Sequence, residues 1–576
     1  MAVSRRDLLK LLAVTGVSAA ANPLQAFAQL MDAEAKDLYD IPSFGNLSIL
    51  HTSDIHAHMR PHYFMEPPNL VAPSNLAGRP GYLSGRGMLE HYDIASGSVH
   101  AYASSAVDFI PLAEKYGAMG GGPHITSLIK QQRDLLGAER CLTLDGGDTW
   151  VTTGLSLLTK GQTIVDWMNL TGYEYMVAHW EFTLGRERFE ELVDHMDAQF
   201  ISHNVVDELF NEPLYDPYVI REVNGASVAI IGATFPYVKV SHPQYLTPEL
   251  SFGVREQYLQ RYVDEVRAQG VDAVVLLSHN GFPLDISLAQ QLKGIDVIFT
   301  GHTHDITPEA YEVNGTKIIS SGSSGKFVAR LDMDVSGGKV NDIRLHMLPV
   351  LSNVIDPDSE AQSLIDSAYA EHQDYLGEVL GSSKDLIYKR DSIFSSFDRL
   401  AGMAIKDAYP EVDVAFSPAY RWGSTVLPGQ EITMEKVLDF TGITYPEVYV
   451  FTMKGERLKQ VMEDISENVF QPNPFYQQGG DLSRLYGASF DLLVNGKQGE
   501  RIRDMHVGGD ALDPNKDYTL ASYGGNLQNA GELLGVEPQP IYDIVANYIR
   551  KVGEVEVDME PHVKVLDAEY HALENL

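Results

Sequence analysis

A chain of 576 residues is too long for one hydrophobic core, so two large domains or three smaller ones are expected. With 44% hydrophobic and 21% charged residues it is neither a disordered chain nor an integral membrane protein. Its 43 Lys and Arg stand against 79 Asp and Glu, a formal charge of −36, and no basic patch interrupts the acidic surface. That balance repels polyphosphate backbones and argues against nucleic acid as a partner.

The N-terminus carries Ser-Arg-Arg-Asp-Leu-Leu-Lys at 4–10, a mildly apolar run to about Ala21, and the small-x-small pattern Ala26-Phe27-Ala28. Residues 1–28 read as a twin-arginine signal peptide cleaved after Ala28, which predicts export of a folded protein to the periplasm. The run is too short to span a bilayer, and no later segment reaches about 18 uninterrupted apolar residues, so no membrane insertion is expected. Cys141 is the single cysteine and cannot form an intrachain disulfide; its apolar surroundings predict a buried strand position.

From there, strand-like runs at 47–50, 142–144, 228–231, 274–277 and 297–300 alternate with helical stretches at 125–136, 186–196 and 257–269. This alternation predicts an α/β layered domain over 29–355. Residues 59–122, rich in Pro, Gly, Tyr, His and Ser, have no sustained period and read as an insertion, packed by Tyr63, Tyr82, Tyr92, Tyr102 and Tyr116. The Asp-Pro-Asp-Ser-Glu turn at 356–360 predicts a linking helix over 359–376, capped by Asp358 or Ser359, within a connector at 356–376. A second domain over 377–576 follows, with a helix at 397–408 and strands at 412–416 and 518–521.

Five short patterns carry chemistry: His51-Thr-Ser-Asp54-Ile-His56, Asp145-Gly-Gly-Asp148, Ala178-His179-Trp-Glu-Phe-Thr183, His279-Asn-Gly281 and Gly301-His302-Thr-His304. Four of them directly follow a strand-like run, where α/β sheets place their sites, and the fifth follows only Tyr175-Met-Val177. Asp-x-His and His-x-His put two donors on one side of a short turn, and Gly146-Gly147 lets the backbone bend before Asp148. One such His is more often structural than a ligand. Five loops carrying Asp or His point to a metal centre, and mixed imidazole and carboxylate donors suit Mn²⁺, Zn²⁺ or Fe without choosing among them.

In this order the patterns resemble the calcineurin-like metallophosphoesterase domain of the 5′-nucleotidase family. Ser417-Pro-Ala-Tyr-Arg421 and Gly429-Gln-Glu-Ile-Thr433 resemble that family's C-terminal substrate-binding domain. The resemblance implies a four-layer N-terminal domain, a β-sandwich flanked by helices, followed by a C-terminal α/β domain. It implies that Asp54, His56, Asp148 and His304 hold one ion, and that a bridging Asp148, His179, His279 and His302 hold another. Asp145 and Asn204 fall beside the metals rather than on them, with Asn204 as a substrate-side contact.

The third pattern departs from the nucleotidases, which have Gly-Asn-His-Glu-Phe-Asp there. His179 stands for the Asn ligand, Trp180 for the catalytic His, and Thr183 for its Asp partner. An indole has one donor and no basic nitrogen, so phosphomonoester hydrolysis of the usual kind should be impaired. Both dyad members are replaced while every metal position keeps a competent donor, which indicates changed chemistry. Together with the insertion and the twin-arginine signal, this pattern resembles the thiosulfohydrolases of the Sox sulfur-oxidation pathway, the SoxB family.

That resemblance implies two Mn²⁺ ions and a cysteine S-thiosulfonate substrate on a SoxYZ-like sulfur carrier protein. Sulfate would be released by attack of a metal-bridging hydroxide on the terminal sulfonyl sulfur. A persulfide leaving group is less basic than an ordinary thiol of pKa about 8.5 and needs little protonation. Arg421 would grip the sulfonate through its planar fork, with Trp180 and Tyr476 as further substrate-side contacts. A channel between the domains, walled by 59–122 and 475–481 and ending at Arg421, would admit the carrier's arm. Two other readings are a periplasmic 5′-nucleotidase or cyclic phosphodiesterase, and a catalytically silent metal protein that only binds a partner.

Overall fold

The computed structural model describes residues 38–477 and 480–570; the signal-peptide segment lies outside the described residues. Two six-stranded sheets form the first half. One runs, in spatial order, Val340–Pro349, Phe327–Val335, Leu47–Thr52, Cys141–Asp145, Tyr175–Met176 and Gln199–Phe200. The other runs Tyr311–Val313, Thr316–Ser320, Val297–Thr300, Ala273–Ser278, Ala226–Ala233 and Tyr218–Val223. The strands that lead into the motif loops run parallel to one another within each sheet, and Leu47–Thr52 pairs antiparallel with Phe327–Val335 on its other side.

Alternate residues of these strands sort into different cores, as the two-residue period of a strand requires. Leu47, Ile49, Leu142 and Leu144 of the first sheet share one cluster with Val228, Ile230, Val275, Leu277, Val297 and Phe299 of the second. Their neighbours turn outward. Ala229, Ile231, Val274, Leu276 and Ile298 pack on the helices Glu256–Ala268 and Phe282–Gln291. Leu50 lies in the same cluster as Ile125, Leu128, Trp167 and Met168 from the helices Gly122–Leu136 and Gln162–Thr171. The result is helix, sheet, sheet, helix: the expected four layers. Each fully buried aliphatic side chain in them contributes about 1.5–3 kcal/mol. Cys141 lies buried in its strand.

The second half is α/β as well. Val414–Ser417, Asp517–Ser522 and Glu447–Lys454 centre a mixed sheet, and the helices Ser396–Ala408 and Ile541–Val552 pack together beside it. Its strand at 414 begins two residues later than the sequence predicts, because Val412 is held in a turn by its N–H to the Tyr409 carbonyl. The linking helix is two helices, Ser359–Ala370 and Gln373–Leu376. Asp358 is the cap of the first, accepting from the N–H groups of Glu360 and Ala361. The break lets Tyr369 and Leu376 both reach the same core. The insertion holds three helices that the sequence does not announce, Gly85–His91, Val99–Ser104 and Phe109–Tyr116. Tyr102 stacks between Phe109 and Tyr116 within it. Among the described residues no helix is long and apolar enough to cross a membrane.

The halves are stitched together. Thr425 donates its N–H to the Tyr63 carbonyl (2.6 Å), and its hydroxyl accepts from the Met65 N–H (3.0 Å). Thr444 donates its hydroxyl to the Thr183 carbonyl (2.7 Å), and Thr152 pairs with Gly442.

Candidate metal centre

The motif loops leave the carboxyl ends of both sheets and meet over the seam between them. Backbone bonds zip two of them together: Asp54 N–H to the Gly147 carbonyl, His56 N–H to Asp148, and Ala57 N–H to Thr149, at 2.8–2.9 Å. A side chain at Gly146 or Gly301 would run into Ser53, so only glycine permits this approach. Five of the seven predicted donors, Asp54, His56, Asp148, His302 and His304, have φ between +52° and +74°. Non-glycine residues adopt that conformation at a cost, and such strain collects at functional sites.

The seven side chains converge as two groups that could each hold a metal ion, Asp148, His179, His279 and His302, and Asp54, His56, Asp148 and His304. Asp148 belongs to both. Its Oδ2 lies 3.1 Å from His279 Nε2, 3.2 Å from His179 Nδ1 and 3.9 Å from His56 Nε2. Asp54 Oδ1 lies 3.2 Å from His304 Nε2. His56 Nε2 and His304 Nε2 approach to 3.1 Å, a close meeting of imidazole nitrogens that a shared cation satisfies. His279 donates Nδ1–H to the Gly146 carbonyl (2.5 Å), which turns its Nε2 toward Asp148.

Electrostatics agree with the geometry. Burial, with neighbouring cationic groups, holds His302 and His304 well below the ordinary imidazole range, and burial takes His56 to about 3 and His179 to about 4. These four are neutral ligands in waiting. Burial also penalises a charged His279, but the carboxylates of Asp148 and Asp54 override it and hold His279 at about 10. Asp148 stays ionised against burial because His179 and His279 face it. Two carboxylates among five imidazoles, with no thiolate, are a donor set for two divalent ions.

Glu181 was not singled out by its sequence, although it lies inside the third motif. Its fully buried carboxylate accepts from the N–H groups of Thr149 (2.6 Å), Trp150 (3.3 Å) and His179 (2.8 Å), tying the loop of Asp148 to that of His179. Asp145 accepts from Gly147 N–H and the Thr149 hydroxyl and belongs to neither metal group.

A cleft of about 540 Å³ opens on the two groups, walled by Trp180, Phe235, Tyr420, Arg421, Trp422 and Gly480. Trp180 meets Trp422 and Tyr420 edge to face at 4.6 and 5.3 Å, and Trp422 stands 5.4 Å from the His56 ring. Thr183 turns away from the cleft chemistry, its hydroxyl donating to the Trp180 carbonyl (2.6 Å). Arg421 donates from Nη1 to the His302 carbonyl (3.1 Å) and from Nη2 to the Gly480 carbonyl (3.0 Å), so part of its fork already serves the protein. A small neighbouring cavity brings Leu70, Gly81 and Tyr82 of the insertion together with Arg421, Gln477 and Asp481.

Two expected substrate contacts need correction. Asn204 is completely buried, and its amide is spent on Thr234, Gly253 and Ser202, so it braces loops and cannot reach a ligand. Tyr476 is 71% exposed and lines neither cavity, because the short turn Pro474–Tyr476 directs it outward.

Comparison with known proteins agrees with this arrangement. Residues 389–534 match the family model described as the 5′-nucleotidase C-terminal domain. The trifunctional nucleotide phosphoesterase protein YfkN of Bacillus subtilis is 24% identical over 335 residues, 55% of this chain but only 22% of YfkN. A 5′-nucleotidase precursor from Thermus thermophilus superposes with a TM-score of 0.70 at 19% identity, over 90% of this chain and 99% of that one, a likeness of fold. The sulfate thiohydrolase SoxB of Thermus thermophilus, solved in complex with glycerol, superposes with a TM-score of 0.91 at 48% identity, over 92% of this chain and 99% of that one. The four layers, the paired donor groups sharing Asp148 and this end-to-end likeness place the chain in the SoxB family of the 5′-nucleotidase and calcineurin-like metallophosphoesterase superfamily.

Proposed function

We propose that the protein is a periplasmic thiosulfohydrolase that releases sulfate from a cysteine S-thiosulfonate on a SoxYZ-like sulfur carrier protein. Asp54, His56, Asp148 and His304 hold one divalent ion and Asp148, His179, His279 and His302 the other, Mn²⁺ by family resemblance. Ions bound there lower the pKa of a water to near neutrality and so supply the hydrolytic nucleophile. Water oxygen adds to the sulfonyl sulfur, the S–S bond to the carrier breaks, and its electron pair leaves on the persulfide. Arg421, in the wall of the cleft, keeps N–H groups beyond those given to His302 and Gly480 with which to steady the sulfonate.

The observation that carries this reading is Trp180. Its indole is part of the cleft wall, and Thr183 is bonded to the Trp180 carbonyl, so apart from the metal donor His179 the motif offers no basic side chain to protonate an alkoxide. A persulfide needs no such help. The test is sulfate release from thiosulfonate-loaded carrier, run beside a 5′-nucleotide assay on the same metal-replete preparation. Sulfate without phosphate is expected; rapid phosphate release from 5′-nucleotides with no sulfate would overturn the proposal.

A further inference from the structure

One imidazole outside the seven donors packs directly against them. His242 follows the short helix Val238–Ser241, is 2% exposed, and is anchored by its own N–H to the Val238 carbonyl. Its ring lies nearly parallel to that of His179, with centroids 5.1 Å apart and planes 15° apart, and 4.6 Å from Trp180. His242 Nε2 stands 3.2 Å from the His179 carbonyl oxygen. A carbonyl only accepts, so this nitrogen carries the proton and donates it.

The contact falls on the peptide of a residue in the second candidate metal group. His179 has φ −149° and ψ −79°, outside the helical and extended basins. Here it sets His179 Nδ1 3.2 Å from the shared Asp148 carboxylate. Glu181 fixes the N–H of His179, while the Phe182 N–H and His242 share its carbonyl.

We infer that His242 is a positioning residue for the second metal group: its Nε2–H pins the His179 peptide and its ring backs the His179 imidazole. Partners of this kind typically change metal affinity 10- to 100-fold when removed. The inference rests on the two-metal reading of the site and not on the thiosulfonate substrate, so its test reads metal occupancy alone.

His242→Phe keeps the ring and removes the donor, whereas His242→Gln keeps a donor at the same reach without the ring. Mn²⁺ titration calorimetry gives the two affinities, and low-temperature electron paramagnetic resonance separates a coupled ion pair from a single ion. In His242→Phe one of the two sites should lose at least about tenfold in affinity while the other is unchanged, and the coupled signal should give way to a mononuclear one. In His242→Gln the loss should be at most about threefold, a bound set from the same scale. Two ions held by His242→Phe as tightly as by the parent, or equal weakening of both sites, would overturn the inference. Should His242→Phe not fold, loss of the second ion in a folded His242→Gln would overturn it equally.

Discussion

At position 179 an imidazole stands where the nucleotidase pattern has an amide, and it faces Asp148 at 3.2 Å from a fully buried loop. Its truncation should remove one ion and leave the sheets intact, because the residue sits in a loop beyond the strands and its ring packs on Phe235, His242 and His302. For His179→Ala we expect metal content to fall from two ions to one and turnover to fall more than about a hundredfold, with an unchanged far-ultraviolet circular dichroism spectrum. Full turnover with two bound ions would remove His179 from the site. The pair Trp180→His with Thr183→Asp restores the missing acid and its partner beside a centre whose ions, when bound, would supply a nucleophile. It should gain phosphomonoesterase activity, about 10²-fold or more over the parent, and lose thiosulfonate hydrolysis. Phosphate and sulfate release measured in parallel check both halves. The seven donors were legible because Asp and His sit at fixed offsets after apolar strands. Asn204 was misread for a physical reason: a buried amide that braces two loops and one that greets a substrate leave the same letter in the sequence.

Among the elements, the insertion shows where sequence patterns stop informing. Its three helices are six to eight residues long, scarcely two turns, so a 3.6-residue period cannot establish itself. The longer helices Gly122–Leu136 and Glu256–Ala268 were legible to within a few residues because each buries a continuous stripe. What the insertion does is set by distant partners: Glu66 pairs with buried Lys326 (2.7 Å), Asn69 donates to Asp391 (2.8 Å), and Tyr82 donates to Gln477 (3.2 Å). None of these pairings has a local signature. Shortening the loop at 74–79, which leads into Gly81 and Tyr82 beside Arg421, should lower kcat/KM for the proposed loaded carrier by about tenfold or more while both ions stay bound. Equal losses of turnover and metal would mean that the insertion supports the centre rather than the approach to it.

Over the whole molecule, the two halves share one continuous core. Trp150, Ile164 and Phe182 of the first half lie in the same buried cluster as Phe397, Leu438 and Ile541 of the second. The hydrogen bonds at Tyr63, Thr152 and Thr183 cross the same boundary. Ordinary interdomain contacts are smaller and more polar, and they let domains unfold separately. We therefore expect one calorimetric transition for the metal-free protein, with Leu438→Ala, a cavity costing about 2–5 kcal/mol, lowering it without splitting it. Two resolved transitions would show that the halves are independent. This joint core could not be read from the sequence, since apolar periodicity says which face is buried but not what covers it.

The left-handed backbone at Asp54, His56, Asp148, His302 and His304 has a consequence for how such a protein changes over generations. Glycine relieves that conformation and takes an ionisable or imidazole group out of a crowded, dry interior, so the substitution that destroys the centre relaxes the metal-free fold. Heat tolerance and reactivity then pull in opposite directions at the same five positions. A library screened for thermal survival in chelator-treated medium should accumulate glycine there, whereas the same library grown under demand for sulfur-compound hydrolysis should retain Asp and His. Ancestry would thus preserve strain wherever the reaction is still needed and shed it first in lineages that have abandoned it.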